Sequence, residues 1–267
     1  MLLAFTGSRL IRATAIRSSP TDFAIWLVFI APWLARVITV LNCSRLMGNH
    51  DRPRLATRIG PDQARVAAML LMTLRGTPTL YYGEEIGMKQ AAILPEQIRD
   101  PFERNVPGIG IGRDGCRTPM QWDGTKWAGF SDVDPWLPIA ANFRDENVNS
   151  YRKDKGSLYW LYRRLIDFRR NHVALAEGSY KPLMASGELL LFCRELRAER
   201  VLIALNMGSE PIAVSFPDKR SSGRVLLSSF ADREGEEVRA SFDLRRIAPE
   251  SGCRTRSPIR NIKHIDN

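Results

Sequence analysis

The feature that most restricts the fold of this chain is a polar triplet at residues 49–51 (Asn-His-Asp), followed at once by helical and extended patterns. A helix is predicted from Pro61 to Gly76, since proline suits a first helical position and glycine ends helices. The apolar stripe of this helix consists of Val66, Met69, Leu70, Thr73 and Leu74. Residues 77–82, which are β-branched and aromatic, predict a strand. This succession is typical of an α/β barrel, whose chemistry lies on loops after the strands.

Two further motifs follow the triplet in order. Residues 75–88 read RGTPTLYYGEEIGM, and residues 113–123 read RDGCRTPMQWD. In this order and spacing the three motifs resemble the α-amylase superfamily, in its α-glucosidase and oligo-1,6-glucosidase branch. The resemblance runs from about Met47 to about Pro249. It implies that residues 47–172 are the last βα units of a (β/α)8 TIM barrel, with a long active-site loop at 83–149.

The second half of the chain changes from a helical to a strand pattern. Ser157 is predicted to cap an amphipathic helix, by resemblance the last helix of the barrel. After Gly178, short apolar runs separated by turns begin at residues 189, 201, 212 and 225. This spacing is typical of an antiparallel β-sandwich. The predicted fold class is therefore α/β plus β: the C-terminal part of a TIM barrel, then a small sandwich domain at 173–250.

The predicted active-site loop shows little periodicity and is rich in glycine, proline, aspartate and tryptophan. So long an irregular stretch is normally functional or disordered. Its aromatic residues argue for an ordered loop, and we expect most of them to pin the loop to the barrel. They are Phe102, Trp122, Trp127, Phe130, Trp136 and Phe143.

Neither end of the chain resembles the sequence expected at that place in the family. Residues 1–46 contain an arginine-rich opening and an apolar run at 23–41, interrupted by Pro32 and Arg36. Three interpretations are open: a targeting or membrane segment, a divergent strand and helix of the barrel, or out-of-frame sequence left by truncation. We favour the third. Residues 251–267 form a basic tail.

The formal net charge of +10 does not predict nucleic-acid binding. Residues 1–60 hold eight arginines against two aspartates, and residues 251–267 hold four basic side chains against one acidic one. The body of the chain is thus almost neutral, whereas a phosphate-binding face belongs on the body of a domain. The four cysteines are scattered, which predicts no zinc site, no disulfide framework and a reducing cytoplasm. No metal or other cofactor is expected, and membrane association is not favoured.

Retaining glycoside hydrolysis needs two carboxyl groups about 5 Å apart. The resemblance implies an aspartate nucleophile in a Gly-Phe-Arg-x-Asp motif, a glutamate acid, and a third carboxylate in Asn-His-Asp. Asp51 matches the third role as the transition-state stabiliser, and His50 matches a neighbouring sugar hydrogen-bond donor. Arg54 is assigned to the pocket border, and Arg113 and Arg117 to the next sugar. Structural ion pairing is the alternative for all three arginines. For the triplet, the alternative is that Asp51 or Asn49 only shapes the turn.

The nucleophile and acid motifs do not occur in the sequence. Glu84-Glu85 is a poor substitute pair, because the resemblance assigns it to loop structure and adjacent side chains diverge. We therefore expect an α-glucosidase-like fragment that binds an α-linked gluco-oligosaccharide and is inactive alone. The alternatives are a non-catalytic carbohydrate-binding or interaction module, and one half of a complemented enzyme. The open edge of an incomplete barrel also predicts self-association.

Overall fold

A computed structural model of the protein describes residues 2–5, 44–110, 112–215, 222–239 and 241–244. Its helices are α1 (Leu55–Ile59), α2 (Pro61–Thr73), α3 (Pro101–Asn105), α4 (Val148–Lys153), α5 (Leu158–Asn171) and α6 (Val173–Ala176). The first five strands are β1 (Leu2–Phe5), β2 (Ser44–Leu46), β3 (Thr77–Thr79), β4 (Ser179–Ser186) and β5 (Leu189–Leu196). The others are β6 (Glu199–Asn206), β7 (Ile212–Ser215), β8 (Ser222–Leu227), β9 (Glu237–Arg239) and β10 (Ser241–Leu244).

Strands β2 and β3 form a parallel pair in which Ser44 lies opposite Thr77 and Leu46 opposite Thr79. Helices α1 and α2 make the crossover between them, as a parallel connection requires. The predicted helix and the strand after it are therefore both present, in one β–α–β unit. The Asn-His-Asp triplet follows the C-terminal end of β2, the position at which barrel enzymes carry their chemistry.

Helix α2 ends at Thr73 rather than at Gly76, because Leu74 is extended (φ −62°, ψ 155°). Arginines from two other elements bind the carbonyls that this ending leaves without helical partners. Arg169 of α5 donates to the carbonyls of Met72, Leu74 and Gly76. Arg194 of β5 donates to the carbonyl of Thr73 at 2.7 Å. The same two side chains therefore stabilise the C-terminal end of α2 and connect this helix to α5 and to the large sheet.

Burial of α2 is broader than the predicted stripe. Ala67, Ala68 and Leu71 lie off that stripe and are also fully buried. Their burial makes α2 the central helix, with α5 packed against it. Ser157 does occupy the N-cap position of α5, but its hydroxyl makes no capping bond and donates instead to the Tyr151 carbonyl at 2.7 Å.

The seven C-terminal strands and β1 form an eight-stranded antiparallel sheet in the order β4-β5-β6-β1-β8-β9-β10-β7. The four predicted strand segments are confirmed as β5, β6, β7 and β8, whereas β4, β9 and β10 were not predicted. These strands are hydrogen-bonded into one continuous sheet, whereas a sandwich has two separate sheets. Strand β1 is the reason, because it pairs with β6 on one side and β8 on the other and so joins the two halves.

The sheet has apolar clusters on both faces. One face packs against the helices and contributes Phe192, Val201 and Ile203 to the cluster that holds α2 and α5. On the other face, Leu191 and Leu202 share a cluster with Val214 and Leu244 of β7 and β10. The far strands of the sheet therefore curl over β5 and β6.

The loop at 83–149 is ordered, but its aromatic residues do not pin it. Of the six, Phe102, Trp122, Phe130 and Trp136 are about half exposed or more, which contradicts the prediction. The loop is held by polar bonds instead: Tyr81 Oη donates to the Cys116 carbonyl and Tyr82 Oη to the Thr118 carbonyl. A small buried cluster completes its anchoring and consists of Ile86, Met88 and Met120.

Most of the 1–46 segment, with its apolar run at 23–41, and the basic tail at 251–267 lie outside the described residues. Within the described ranges, no helix combines the length and apolar character needed to cross a bilayer. Cys116 and Cys193 are free thiols, and the same ranges contain no group of side chains able to hold a metal ion.

Candidate functional site

The triplet after β2 is shaped by its own first residue. Asn49 Oδ1 accepts the Asp51 backbone N–H at 2.9 Å, which closes a tight turn. The turn directs the Asp51 side chain outward, with 47% of its surface exposed, and leaves the His50 side chain 64% exposed. The turn-forming alternative therefore applies to Asn49, whereas Asp51 is available for other contacts.

Asp51 is surrounded by positively charged and polar donors. Its Oδ1 accepts hydrogen bonds from Arg117 Nη2 at 2.9 Å and Arg113 Nη1 at 3.2 Å. His50 Nε2 lies 3.3 Å from Oδ2. Partial desolvation opposes ionisation, but the Arg113 hydrogen bond, the interaction with His50 and the Arg117 hydrogen bond outweigh it and lower the pKa of Asp51. Asp51 is therefore a carboxylate that stays ionised at neutral pH.

Arg113 is held in place by a second aspartate. Asp100 accepts Arg113 Nε and Nη2 in a two-pronged pair, with both N–O distances 2.8 Å. The Asp100 side chain is fully buried. Hydrogen bonds from Arg113 lower the pKa of Asp100, and Asp100 in turn raises the pKa of Arg113. Asp114 supports this pair, because its Oδ2 accepts the backbone N–H groups of Arg99 and Asp100.

Arg117 fixes the turn from the other side. Its Nε donates to the His50 carbonyl at 2.8 Å while its Nη2 binds Asp51. The Cys116 thiol also lies 3.4 Å from the His50 carbonyl. Residues 113–117 therefore hold both the backbone and the carboxylate of the triplet.

Arg54 does not join this cluster. It is 3% exposed, and its Nη1 donates to the Tyr82 carbonyl at 2.7 Å. Its guanidinium lies over the Tyr82 ring, 4.6 Å from the ring centre. The structure thus brings together His50, Asp51, Arg113 and Arg117 and places Arg54 beneath the neighbouring tyrosines, with almost no surface to offer a ligand.

No other carboxyl group contacts Asp51 among the described residues. Asp100 is the nearest through Arg113, but the same guanidinium occupies both of its oxygens. Glu84 is buried, and burial raises its pKa to about 7. Its Oε2 accepts the Tyr81 N–H at 3.4 Å and it has no contact with Asp51. The described groups therefore offer Asp51 as a single exposed, ionised carboxylate.

The sequence interpretation missed Asp100 and Asp114, which position Arg113. A signal for Asp100 is present in the sequence, since an aspartate directly before Pro101 is a typical helix N-cap. Its side chain does accept the Phe102 N–H at 3.2 Å. No local pattern indicates that this capping carboxylate also binds an arginine 13 residues later.

Comparison with known proteins decides the family. The family model for the α-amylase catalytic domain matches residues 6–178. The chain belongs to the α-amylase family. It is 34% identical over 223 residues to an oligo-1,6-glucosidase of Halalkalibacterium halodurans, covering 74% of this chain and 40% of that protein. It is 32% identical to a glucan 1,6-alpha-glucosidase of Streptococcus pneumoniae, covering 75% of this chain and 42% of that protein.

Solved structures are similar to this chain over most of its length. The trehalulose synthase MutB from Pseudomonas mesoacidophila superimposes with a TM-score of 0.74 at 26% identity, over 85% of this chain and 46% of that chain. The α-glucosyl transfer enzyme XgtA superimposes with a TM-score of 0.73 at 30% identity, over 82% and 42%. The chain thus spans less than half the length of these relatives.

Proposed function

We propose that this chain supplies the glucose-binding, transition-state-stabilising part of an α-glucosidase site, on the C-terminal units of a (β/α)8 barrel. The observation that carries the proposal is the ionised Asp51 held between Arg113, Arg117 and His50. A carboxylate fixed in this way can accept hydrogen bonds from sugar hydroxyls. It can also stabilise the positive charge of an oxocarbenium-like transition state.

In this assignment the residues around Asp51 have separate roles. His50, whose side chain is largely exposed, donates to a sugar hydroxyl. Arg113 and Arg117 set the position and charge of Asp51 and border the neighbouring sugar. Arg54 supports the loop through Tyr82. Similarity to oligo-1,6-glucosidases favours an α-linked gluco-oligosaccharide as the ligand.

Hydrolysis is not proposed for the chain by itself. Bond cleavage with retention requires a nucleophile and an acid on opposite sides of the sugar, and Asp51 matches neither. We expect the purified chain to release no glucose from maltose, isomaltose or an aryl α-glucoside. Turnover that Asp51→Ala abolishes would show that two further carboxyl groups act in this chain.

Binding of free glucose tests the proposed role of Asp51. Saturation-transfer NMR should detect glucose bound to the wild-type chain, and Asp51→Ala should weaken binding about tenfold or more, because a charge-assisted acceptor is lost. Asp132→Ala, which removes an exposed carboxylate of the same loop, is the matched control and should bind like wild type. Equal glucose binding by Asp51→Ala and wild type would contradict the proposal.

A second candidate function is that of one half of a complemented enzyme. Leu46, Leu80 and Tyr82, at and beyond the ends of β2 and β3, are 37–49% exposed. Such a surface favours contact with further barrel strands or with a second copy.

Sedimentation velocity tests this surface directly. Self-association that increases with protein concentration and is reduced by Leu46→Lys would support it. A chain that stays monomeric at every concentration, and does not co-purify with a co-expressed N-terminal half of a family member, would contradict it.

A further inference from the structure

A second recess lies within the loop, apart from the cluster around Asp51. This cleft of about 960 Å³ is bordered by residues 96–99 and residues 124–144, and none of the Asp51 cluster lines it. We call it the Trp136 cleft. Its aromatic lining consists of Trp127, Trp136 and Phe143, and its charged lining of Glu96, Arg99, Lys126, Asp134 and Arg144.

The Trp136 indole is free to take a ligand. Its residue is 70% exposed, and it makes no ring contact or hydrogen bond with any other described residue. A large aromatic surface left in water inside a recess is unusual for a residue with only a packing role. A flat indole face matches the apolar C–H face of a pyranose ring.

Three charged side chains of the cleft are also without partners among the described residues, whereas Lys126 and Arg144 lie over the Trp127 and Phe143 rings. The side chains of Glu96, Arg99 and Asp134 are exposed and make no hydrogen bond or ion pair with the residues that the structure describes. Around Asp51, by contrast, both arginines are engaged with carboxylates. Carboxylate and guanidinium groups each present two acceptors or donors in one plane, which suits a pair of neighbouring hydroxyls. Because the lining carries both signs of charge, it favours a neutral polyhydroxylated ligand over an ion.

The walls of the cleft are held rigidly. Trp127 and Ala128 adopt left-handed backbone conformations (φ 61° and 57°), which non-glycine residues keep only when their surroundings enforce them. The Ala128 carbonyl accepts the N–H groups of Trp122 and Asp123. Gln121 Nε2 donates to the Glu146 carbonyl at 2.7 Å and so connects the segment just before this wall to the end of the loop. A recess of fixed shape binds with less loss of conformational freedom than one that must be assembled.

We propose that the Trp136 cleft is a second saccharide site, which binds a stretch of a neutral α-linked gluco-oligosaccharide independently of Asp51. Trp136 stacks on one sugar ring, and Glu96, Arg99 and Asp134 bind the hydroxyls of that ring and its neighbour. The α-gluco class of the ligand rests on the proposed function, whereas the location of the site does not.

Calorimetric titration in the Asp51→Ala background tests the cleft without the first site. We expect maltotetraose or isomaltotetraose to bind this variant, and Trp136→Ala in the same background to weaken binding about tenfold through loss of the stacking surface. Trp122→Ala removes another exposed tryptophan outside the lining and should leave the affinity within about twofold. Because Trp136 is exposed, equal urea midpoints should confirm that both variants are folded.

The outcomes separate this proposal from the one on Asp51. If Asp51→Ala binds neither tetrasaccharide, or if Trp136→Ala binds as tightly as its parent, the cleft is not a saccharide site, whatever glucose binding shows. If Asp51→Ala keeps wild-type affinity for glucose while Trp136→Ala weakens the tetrasaccharide, the cleft stands and the role assigned to Asp51 is wrong.

Discussion

At the scale of single residues, the geometry of the candidate site depends on a buried carboxylate behind Arg113. Asp100 is buried and binds Arg113 through two hydrogen bonds, and Arg113 in turn binds Asp51. Asp100→Ala leaves a guanidinium without its main partner, so we expect a loss of about 2–4 kcal/mol in the free energy of unfolding. Urea denaturation measures this loss. As a control, Asp132→Ala, which removes an exposed carboxylate, should change the midpoint little. An Asp100→Ala midpoint equal to that of wild type would show that the pair contributes nothing.

Glu84 gives a pH-dependent prediction of its own. Burial raises its pKa from 4.5 to about 7, so the folded protein holds a proton that the unfolded chain releases near pH 4.5. The contribution of Glu84 to the free energy of unfolding is largest below the pKa that this group has in the unfolded chain, and it decreases as the pH rises toward 7. Glu84→Gln removes the ionisation. The difference in free energy of unfolding between the variant and wild type should therefore shift in favour of the variant by about 2 kcal/mol from pH 5 to pH 8.

The measurement for Glu84 is a pair of urea titrations at these two pH values. Glu210→Gln, on an exposed turn, controls for the loss of one negative charge and should show no such difference. A Glu84→Gln variant whose advantage is the same at pH 5 and pH 8 would show that this carboxyl is not protonated in the folded protein.

At the scale of elements, the two hairpins of the large sheet form an internal comparison. Gly187 begins the two-residue turn between β4 and β5 with φ 54°, and Arg197 begins the turn between β5 and β6 with φ 55°. Glycine adopts this conformation without strain, whereas arginine does not. Arg197→Gly should therefore stabilise the protein by about 0.5–1 kcal/mol, and Gly187→Ala should destabilise it by a similar amount.

Thermal and urea unfolding of these two variants test the hairpins. The Arg197 side chain is exposed, and a Cβ at Gly187 would meet no other atom within 4 Å. Changes in side-chain packing therefore do not contribute to the stability change of either variant. Arg197→Ala, which keeps a side chain but removes the charge, should give little gain. A gain equal to that of Arg197→Gly would assign the effect to the lost charge and not to the backbone.

At the scale of the whole molecule, the structure joins the start of the chain to the C-terminal sheet. Leu3 of β1 lies opposite Leu202 of β6 and Val225 of β8. Proline cannot donate to either neighbour, so Leu3→Pro should cost about 3 kcal/mol or more, whereas Leu3→Val keeps the donor and should cost much less. Urea unfolding followed by circular dichroism measures both. An unchanged midpoint for Leu3→Pro would show that β1 does not hold the sheet together.

Periodic and motif-like parts of the chain were predictable, and long-range pairings were not. The helix at Pro61–Thr73 and the strands β5 to β8 follow local patterns of apolar residues. The local sequence does not predict the pairing of β1 with β6, because a strand of four residues is too short to show a periodic pattern. The motif likewise indicated Asp51, His50, Arg113 and Arg117. The buried support from Asp100 and the burial of Arg54 depend on how distant segments meet.

Strand β1 also determines when the large sheet can close. It precedes every other described segment in the sequence, whereas its two neighbours, β6 and β8, belong to the last part of the described chain. The centre of the sheet therefore stays open until both neighbours have been made, and its closure joins segments that are distant in the sequence, which slows folding. Until then the unpaired edges of these strands can pair with a wrong neighbour, so we expect refolding at high protein concentration to compete with aggregation.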